Sequence, residues 1–231
     1  MITSAALCAG PPLLAPGLSG HDAAAASLRE ASRAAVAEMA AAAPELVAVI
    51  GPAEQTATWP ASARPDLARY GAALGLGGRP AAPLSVGLGA MLLDDIGYEG
   101  PRLLRSVGDQ ASLLMCQRIA AEVVGAAARV GLLVMADGSA RRTLKAPGYF
   151  DERAEPYDDA VRRAVASGEL SALHALDPAL ARELLAPGWP ALQVLAAAFG
   201  ADRPHATVHY ADAPHGVGYL VATLMTTRRS T

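Results

Sequence analysis

The chain has 231 residues, of which 52% are hydrophobic and only 4% aromatic, and its 22 acidic and 19 basic residues leave a formal net charge of −3. A chain of this length buries roughly 70–75% of its unfolded surface, enough for a core without disulfide or metal staples. Acids and bases are mixed with no basic stripe, which excludes a nucleic-acid partner from the expectations.

Cys8 and Cys116 make neither a disulfide framework nor a zinc spacing, so a reduced, cytoplasmic setting is expected. The opening MITSAALCAGPPLL lacks a basic region and is interrupted by Pro11-Pro12, unlike a signal peptide. Residues 120–136 are the most apolar window, but they contain Glu122 and Arg129 and fall short of the ~20 residues that span a bilayer. No membrane partner is expected. Lysine occurs once, at Lys145, and asparagine is absent, a usage that looks like the codon bias of a GC-rich genome.

In chain order, TSAALC (3–8) is a short apolar run, ended by AGPPLLAPGLSG (9–20), a Pro/Gly loop that no helix crosses. Residues 21–43 predict a helix from alanine propensity and the helical spacing of Leu28, Ala31, Ala35 and Met39. ELVAVIG (45–51) predicts a buried strand stopped by Gly51-Pro52, completing a β-loop-α-β unit of a parallel sheet. The Pro-, Gly- and Ala-rich stretch 52–83 reads as an irregular excursion with a short strand around 67–74. Its closely spaced glycines at 73–80 lead into Pro80 and not a helix, so they fail the context of a dinucleotide fingerprint. A helix at 84–95, a strand at 102–107 (RLLRSV), a helix at about 109–129 and a strand at 130–136 (VGLLVMA) follow. Beyond a loop come helices near 154–167, 169–175, 178–186 and 190–199, then strands ATVHYA (206–211) and GVGYLVAT (216–223) separated by DAPH.

This alternation predicts an α/β fold: a single three-layer α/β/α domain over 1–231 with a mostly parallel central sheet. Such sheets bind ligands beyond the carboxyl ends of their strands, which points to the loops 8–20, 51–65 and 137–150, with the DAPHG corner beside them.

The third loop carries the densest chemistry. In MADGSARRTLKAPGYF (135–150), Asp137 ends the strand and Gly138 permits a sharp exit. Ser139 can cap a turn or offer its hydroxyl and amide to an anion. Arg141, Arg142 and Lys145 supply positive charge, arginine being suited to bidentate carboxylate or phosphate contacts. The alternative is that they pair with Asp151, Glu152 and Glu155 and only order the loop. Ser139 lies in no G-x-S-x-G elbow, which argues against a covalent nucleophile. Cys8 stands either as a thiol at the mouth of the site or as a small core residue. Asp94-Asp95 and Asp158-Asp159 read as solvated helix faces or ends, while Tyr149, Phe150, Trp59 and Trp189 either wall a pocket or join the core. Among the histidines, His21 reads as a surface group beside Asp22, and His174 lies among helical residues. His205 and His209 sit ~13 Å apart along a strand at ~3.3 Å per residue, too far for a simple shared site. His215 with Asp212 is the best metal pair, with Asp137 as a third group.

The order ALCAGPPLLAPGLSG, PELVAVIGP, LLVMADGSARRTLKAPGYFDERAEPYDDAV and YADAPHGVGYLVA resembles class III extradiol ring-cleavage dioxygenases, and more closely an uncharacterised bacterial branch described by their subunit-B domain. The resemblance covers nearly the whole chain and is most specific at 130–160 and the C-terminal corner. It implies an α/β fold around a non-haem Fe(II) held by two histidines and a carboxylate, a further histidine as acid/base, opening of catechol-type rings with dioxygen, and frequent oligomers. This chain departs from that pattern. Cys8-Ala9-Gly10-Pro11-Pro12 stands where the first ligand histidine belongs, residues 51–83 contain no histidine, and Ala140-Arg141-Arg142 replaces the acid/base region. Asp212 is the heir of the carboxylate.

The expectation is therefore a non-catalytic protein with a degraded Fe(II) site. It would bind a small anionic or aromatic ligand, or a partner's acidic segment, through Gly138, Arg141, Arg142, Lys145 and Cys8. No cofactor is expected beyond the Fe(II) that the resemblance brings. Two alternatives stand beside it: a ring-cleaving dioxygenase with unorthodox ligands from Asp137, Asp212 and His215, and a metal-independent enzyme whose candidate catalytic groups are Asp137, Ser139 and His215. A homo-oligomer is left open.

Overall fold

Short apolar runs become strands wherever Gly or Pro ends them, and alanine-rich periodic stretches become the helices laid over them. The structure, a computed structural model, describes residues 1–71 and 77–226. Its elements are β1 (Ile2–Cys8), α1 (Ala23–Ala41), β2 (Leu46–Ala53), β3 (Ala57–Trp59), β4 (Arg64–Pro65), β5 (Ala81–Ala82), α2 (Leu84–Asp95), β6 (Arg102–Gly108), α3 (Leu113–Gly125), β7 (Val130–Met135), α4 (Ala154–Ala166), α5 (Pro178–Glu183), α6 (Trp189–Phe199), β8 (His205–Asp212) and β9 (Tyr219–Met225).

A seven-stranded sheet runs in the order β3-β6-β2-β7-β1-β9-β8. Its centre, β6-β2-β7-β1, is parallel, and all six residues of β7 are buried, as expected of a strand covered on both faces. The flanks are antiparallel: β3 on β6, β9 on β1, and β8 on β9. The sheet is thus mixed, which corrects the expectation of a mostly parallel one. Hydrophobic pattern reports that a strand is buried, not its direction; here a tight corner folds the last two strands into a hairpin.

Alternation along β1 divides the core between the two faces. Ala5 and Leu7 join α3, α4 and α6 on one side; Ala6 and Cys8 join α1 and α2 on the other. Asp22 caps α1, its carboxylate accepting the Ala25 N–H at 2.8 Å, and Leu28, Ala35 and Met39 form the buried stripe. With few aromatics, the packing depends on close approach: a Cβ on Gly87 of α2 would overlap Pro65, and one on Gly89 would lie 2.5 Å from Val49.

Several boundaries differ from expectation. The helix expected at 109–129 starts later, because Ser112 caps it by accepting the Met115 N–H at 3.2 Å. Residues 170–175 form a 3-10 turn in place of a helix. In the stretch read as a strand at 67–74, Ala68–Tyr70 is a 3-10 turn, and 72–76 lie outside the described residues. The edge strand β3 was not legible. It is held by the Trp59 indole N–H, which donates to Ser106 Oγ at 3.0 Å. Among the described residues no helix is long and apolar enough to cross a membrane.

Candidate functional site

β1 and β7 end level, Cys8 opposite Met135, and the Ala136 N–H donates to Cys8 O at 2.8 Å. The next residue, Asp137, turns inward, and its Oδ1 accepts the Gly10 N–H at 2.7 Å, tying the loop after β1 to the loop after β7. Two further bonds stitch that loop to the chain entering β9: Gly138 N–H to Gly218 O and Gly218 N–H to Ser139 O, both 2.8 Å.

The glycines are required here because Asp158 of α4 fills the space beside them. A Cβ on Gly138 would lie 2.6 Å from Asp158 Oδ1, and one on Gly218 would overlap its Oδ2. Asp158 accepts the Ser139 N–H at 2.8 Å and the Ser139 hydroxyl at 2.7 Å, and it pairs with Arg142 at 3.3 Å. Arg142 also reaches Glu155 at 3.1 Å. Burial raises the Asp158 carboxyl above its ordinary value against the opposing pull of Ser139 and Arg142.

Between the β1 and β7 ends, α4 and the β8–β9 corner lies a cavity of about 160 Å³. Leu7, Ala136, Val161, Leu192 and Leu220 form its apolar wall, and Asp137, Asp158, Asp159, Asp212, Arg142 and Arg162 its polar one. Burial pushes the Asp137 carboxyl up to about 6, partly opposed by the Gly10 N–H. Tyr219, on the same wall, is raised by burial and then by the Asp137 charge.

The structure therefore gathers Asp137, Gly138, Arg142 and Asp212 around one cavity, with Ser139 fully buried behind it. It does not gather the others. Arg141 is absent from the cavity wall; its side chain packs at Gly148, and its Nε is buried with no hydrogen-bond partner. Lys145 and His215 border a separate open groove with Thr143, Leu144 and Pro214. His215 pairs with Asp22 at the start of α1, 3.1 Å away, while Asp212 Oδ1 accepts the Ala213 N–H at 2.7 Å. The metal pair Asp212–His215 is not assembled. Of the two readings of Cys8, the structure shows the core residue and not the ligand-binding thiol: it has no exposed surface, burial pushes its thiol up to about 12, and Sγ faces Ser32 O at 4.0 Å. The alternation of β1 turns it under α1, away from the cavity.

Two of the other four histidines are engaged elsewhere: His174 with Gln193 at 2.8 Å, and His209 with Thr223 at 2.7 Å and Glu38 at 3.3 Å. Among the described residues, no three His, Cys, Asp or Glu side chains are grouped to hold a metal. No imidazole lines the cavity, so its donor set does not fit a ferrous centre of two histidines and a carboxylate. Tyr149 and Phe150 are exposed, and Trp189 is tied to Leu176 O at 2.9 Å; neither these three nor Trp59 walls the cavity.

Asp158, Asp159 and Arg162 are cavity residues that sequence reading does not assign to the site, and Asp158 is the most deeply engaged of them. The signal was present: position 158 belongs to the face of α4 marked by Ala154, Tyr157, Val161 and Val165.

No protein-family profile and no curated protein matches the chain. Among solved structures, an uncharacterised protein from Escherichia coli K12 superposes with a TM-score of 0.55 at 9% identity, covering 96% of this chain and 99% of that one. At that identity the likeness shows a shared fold alone.

Proposed function

We propose that this chain is a non-catalytic binding protein of extradiol-dioxygenase-like architecture that works in a reducing cytoplasm and holds a small molecule in the cavity beside Asp137. One observation carries the reading: the carboxyl ends of β1 and β7 open on a preformed space with converging polar groups, and no imidazole stands on its wall. Ligand sites in sheets of this kind lie at this end. The sequence resemblance supports the ancestry, and the missing histidines support the loss of iron chemistry. Two buried free cysteines agree with a reducing compartment.

The test is ligand-observed NMR with a library of solutes of a few heavy atoms, on the wild type and on Leu220→Trp, which fills the cavity from its half-exposed β9 wall. Solutes that bind the wild type should be lost from the variant, with its melting temperature little changed. Absence of any binder, or binding that survives the tryptophan, would reject the reading. So would near-stoichiometric Fe(II) after anaerobic loading, followed by oxygen uptake with catechol.

A further inference from the structure

Building on that reading, we infer that the cavity receives a compact organic cation bearing N–H donors, a primary ammonium or an amidinium, between the carboxylates of Asp137 and Asp212. Four carboxylates line the cavity against two guanidiniums, and both guanidiniums already have partners. Arg142 is held by Asp158 and Glu155, and Arg162 by Asp159 at 3.1 Å. Asp137 and Asp212 have no cationic partner among the described residues.

Their positions differ usefully. Asp212 is exposed at the rim, whereas Asp137 is half-buried at the strand ends. One Asp137 oxygen takes the Gly10 N–H; the other has no hydrogen-bond partner among the described residues. That oxygen faces the cavity with no protein donor, so a ligand that brings a donor or a positive charge is the group best suited to meet it. An ammonium or amidinium supplies both. An anion would instead face two carboxylates that nothing neutralises. Leu7, Val161, Leu192 and Leu220 accommodate a short alkyl stem. The volume, about 160 Å³, equals about five waters at ~30 Å³ each, so the ligand has a handful of heavy atoms. A hard metal ion is a poorer occupant, because it needs several converging oxygens and no three metal-binding side chains are grouped among the described residues.

The experiment titrates the full chain at pH 7.5 and constant ionic strength with methylammonium, 1,3-diaminopropane and acetamidinium, against acetate and acetamide, by saturation-transfer NMR and calorimetry. At least one cation should bind more than tenfold tighter than acetamide and acetate. Asp137→Asn and Asp212→Asn should each weaken it tenfold or more, while the exposed control Asp202→Asn should not. Asp212→Asn changes only an exposed side chain, so weaker binding by that variant reports the lost charge and not a change in the fold. Preference for acetate, cation binding indifferent to both variants, or displacement of the amines by micromolar Mg²⁺ or Ca²⁺ would overturn the inference. If none of these cations binds while other solutes are still blocked by Leu220→Trp, the cation assignment fails and the binding reading survives. If nothing binds, both fall.

Discussion

Replacing Asp137 by asparagine should stabilise the protein at neutral pH, and the gain should fade on acidification. Burial pushes this carboxyl from its ordinary 3.8 up to about 6. The folded chain therefore keeps the proton to a higher pH than the unfolded chain does. Between about pH 4 and pH 6 the native state binds more protons, so native stability falls as pH rises through that window and levels off above it. About two pH units at ~1.4 kcal/mol each gives a cost of about 3 kcal/mol at pH 7. Asparagine carries no charge to desolvate, and its Oδ1 still accepts the Gly10 N–H. Urea unfolding of both proteins at pH 4, 5, 6 and 7 should show a difference of a few tenths of a kcal/mol at pH 4, growing to about 3 at pH 7, equivalent to roughly 6–12 °C in Tm for a chain of this size. A difference that stays flat across the series, or shrinks toward pH 7, would refute the reasoning.

Ser139→Ala removes the hydroxyl that donates to half-buried Asp158 and should cost about 1–3 kcal/mol in denaturant unfolding, with the native fold retained by circular dichroism. Gly218→Ala drives a methyl into Asp158 Oδ2 and should destabilise by about 1–3 kcal/mol, with the NMR signals of α4 shifted. Cys8 and Cys116 are both buried, so maleimide labelling in native buffer should follow the opening of the structure, with rapid reaction of either thiol arguing against this packing. Leu132→Ala, in the middle of the fully buried β7, should lose about 2–5 kcal/mol.

The sequence made the centre of the sheet legible because length, burial and punctuation agree there. ELVAVIG and VGLLVMA are too short for helices and are bounded by Pro or loop residues, and they became β2 and β7. Strand direction was not legible, since pairing of β9 with β1 is a long-range outcome that no local pattern encodes. The site was legible by loop and only partly by residue. Asp137 and Arg142 fell where strand ends and loop charge placed them, but Arg141, next in line, turned toward Gly148 because consecutive loop residues need not share a face. Lys145 stood out as the lone lysine, yet rarity in composition says nothing about position, and it borders a different groove. The two readings of Cys8 are separated by strand parity: an odd or even step along β1 decides between the cavity, where Leu7 lies, and the core under α1, where Cys8 lies. Asp158 was hidden because a carboxylate on an amphipathic helix is assigned to solvent by default, and its true role depends on glycines twenty and sixty residues away.

β1 pairs on one side with residues 130–135 and on the other with residues 222–225. During synthesis β1 must therefore wait, one ladder unmade, until residues 222–225 have left the ribosome, and that closing contact joins strands more than 200 residues apart. Contacts of such range slow folding, and until β9 arrives β1 presents a bare row of amides and carbonyls, the template on which chains aggregate. A product truncated before Tyr219 would keep that edge permanently and should accumulate in inclusion bodies.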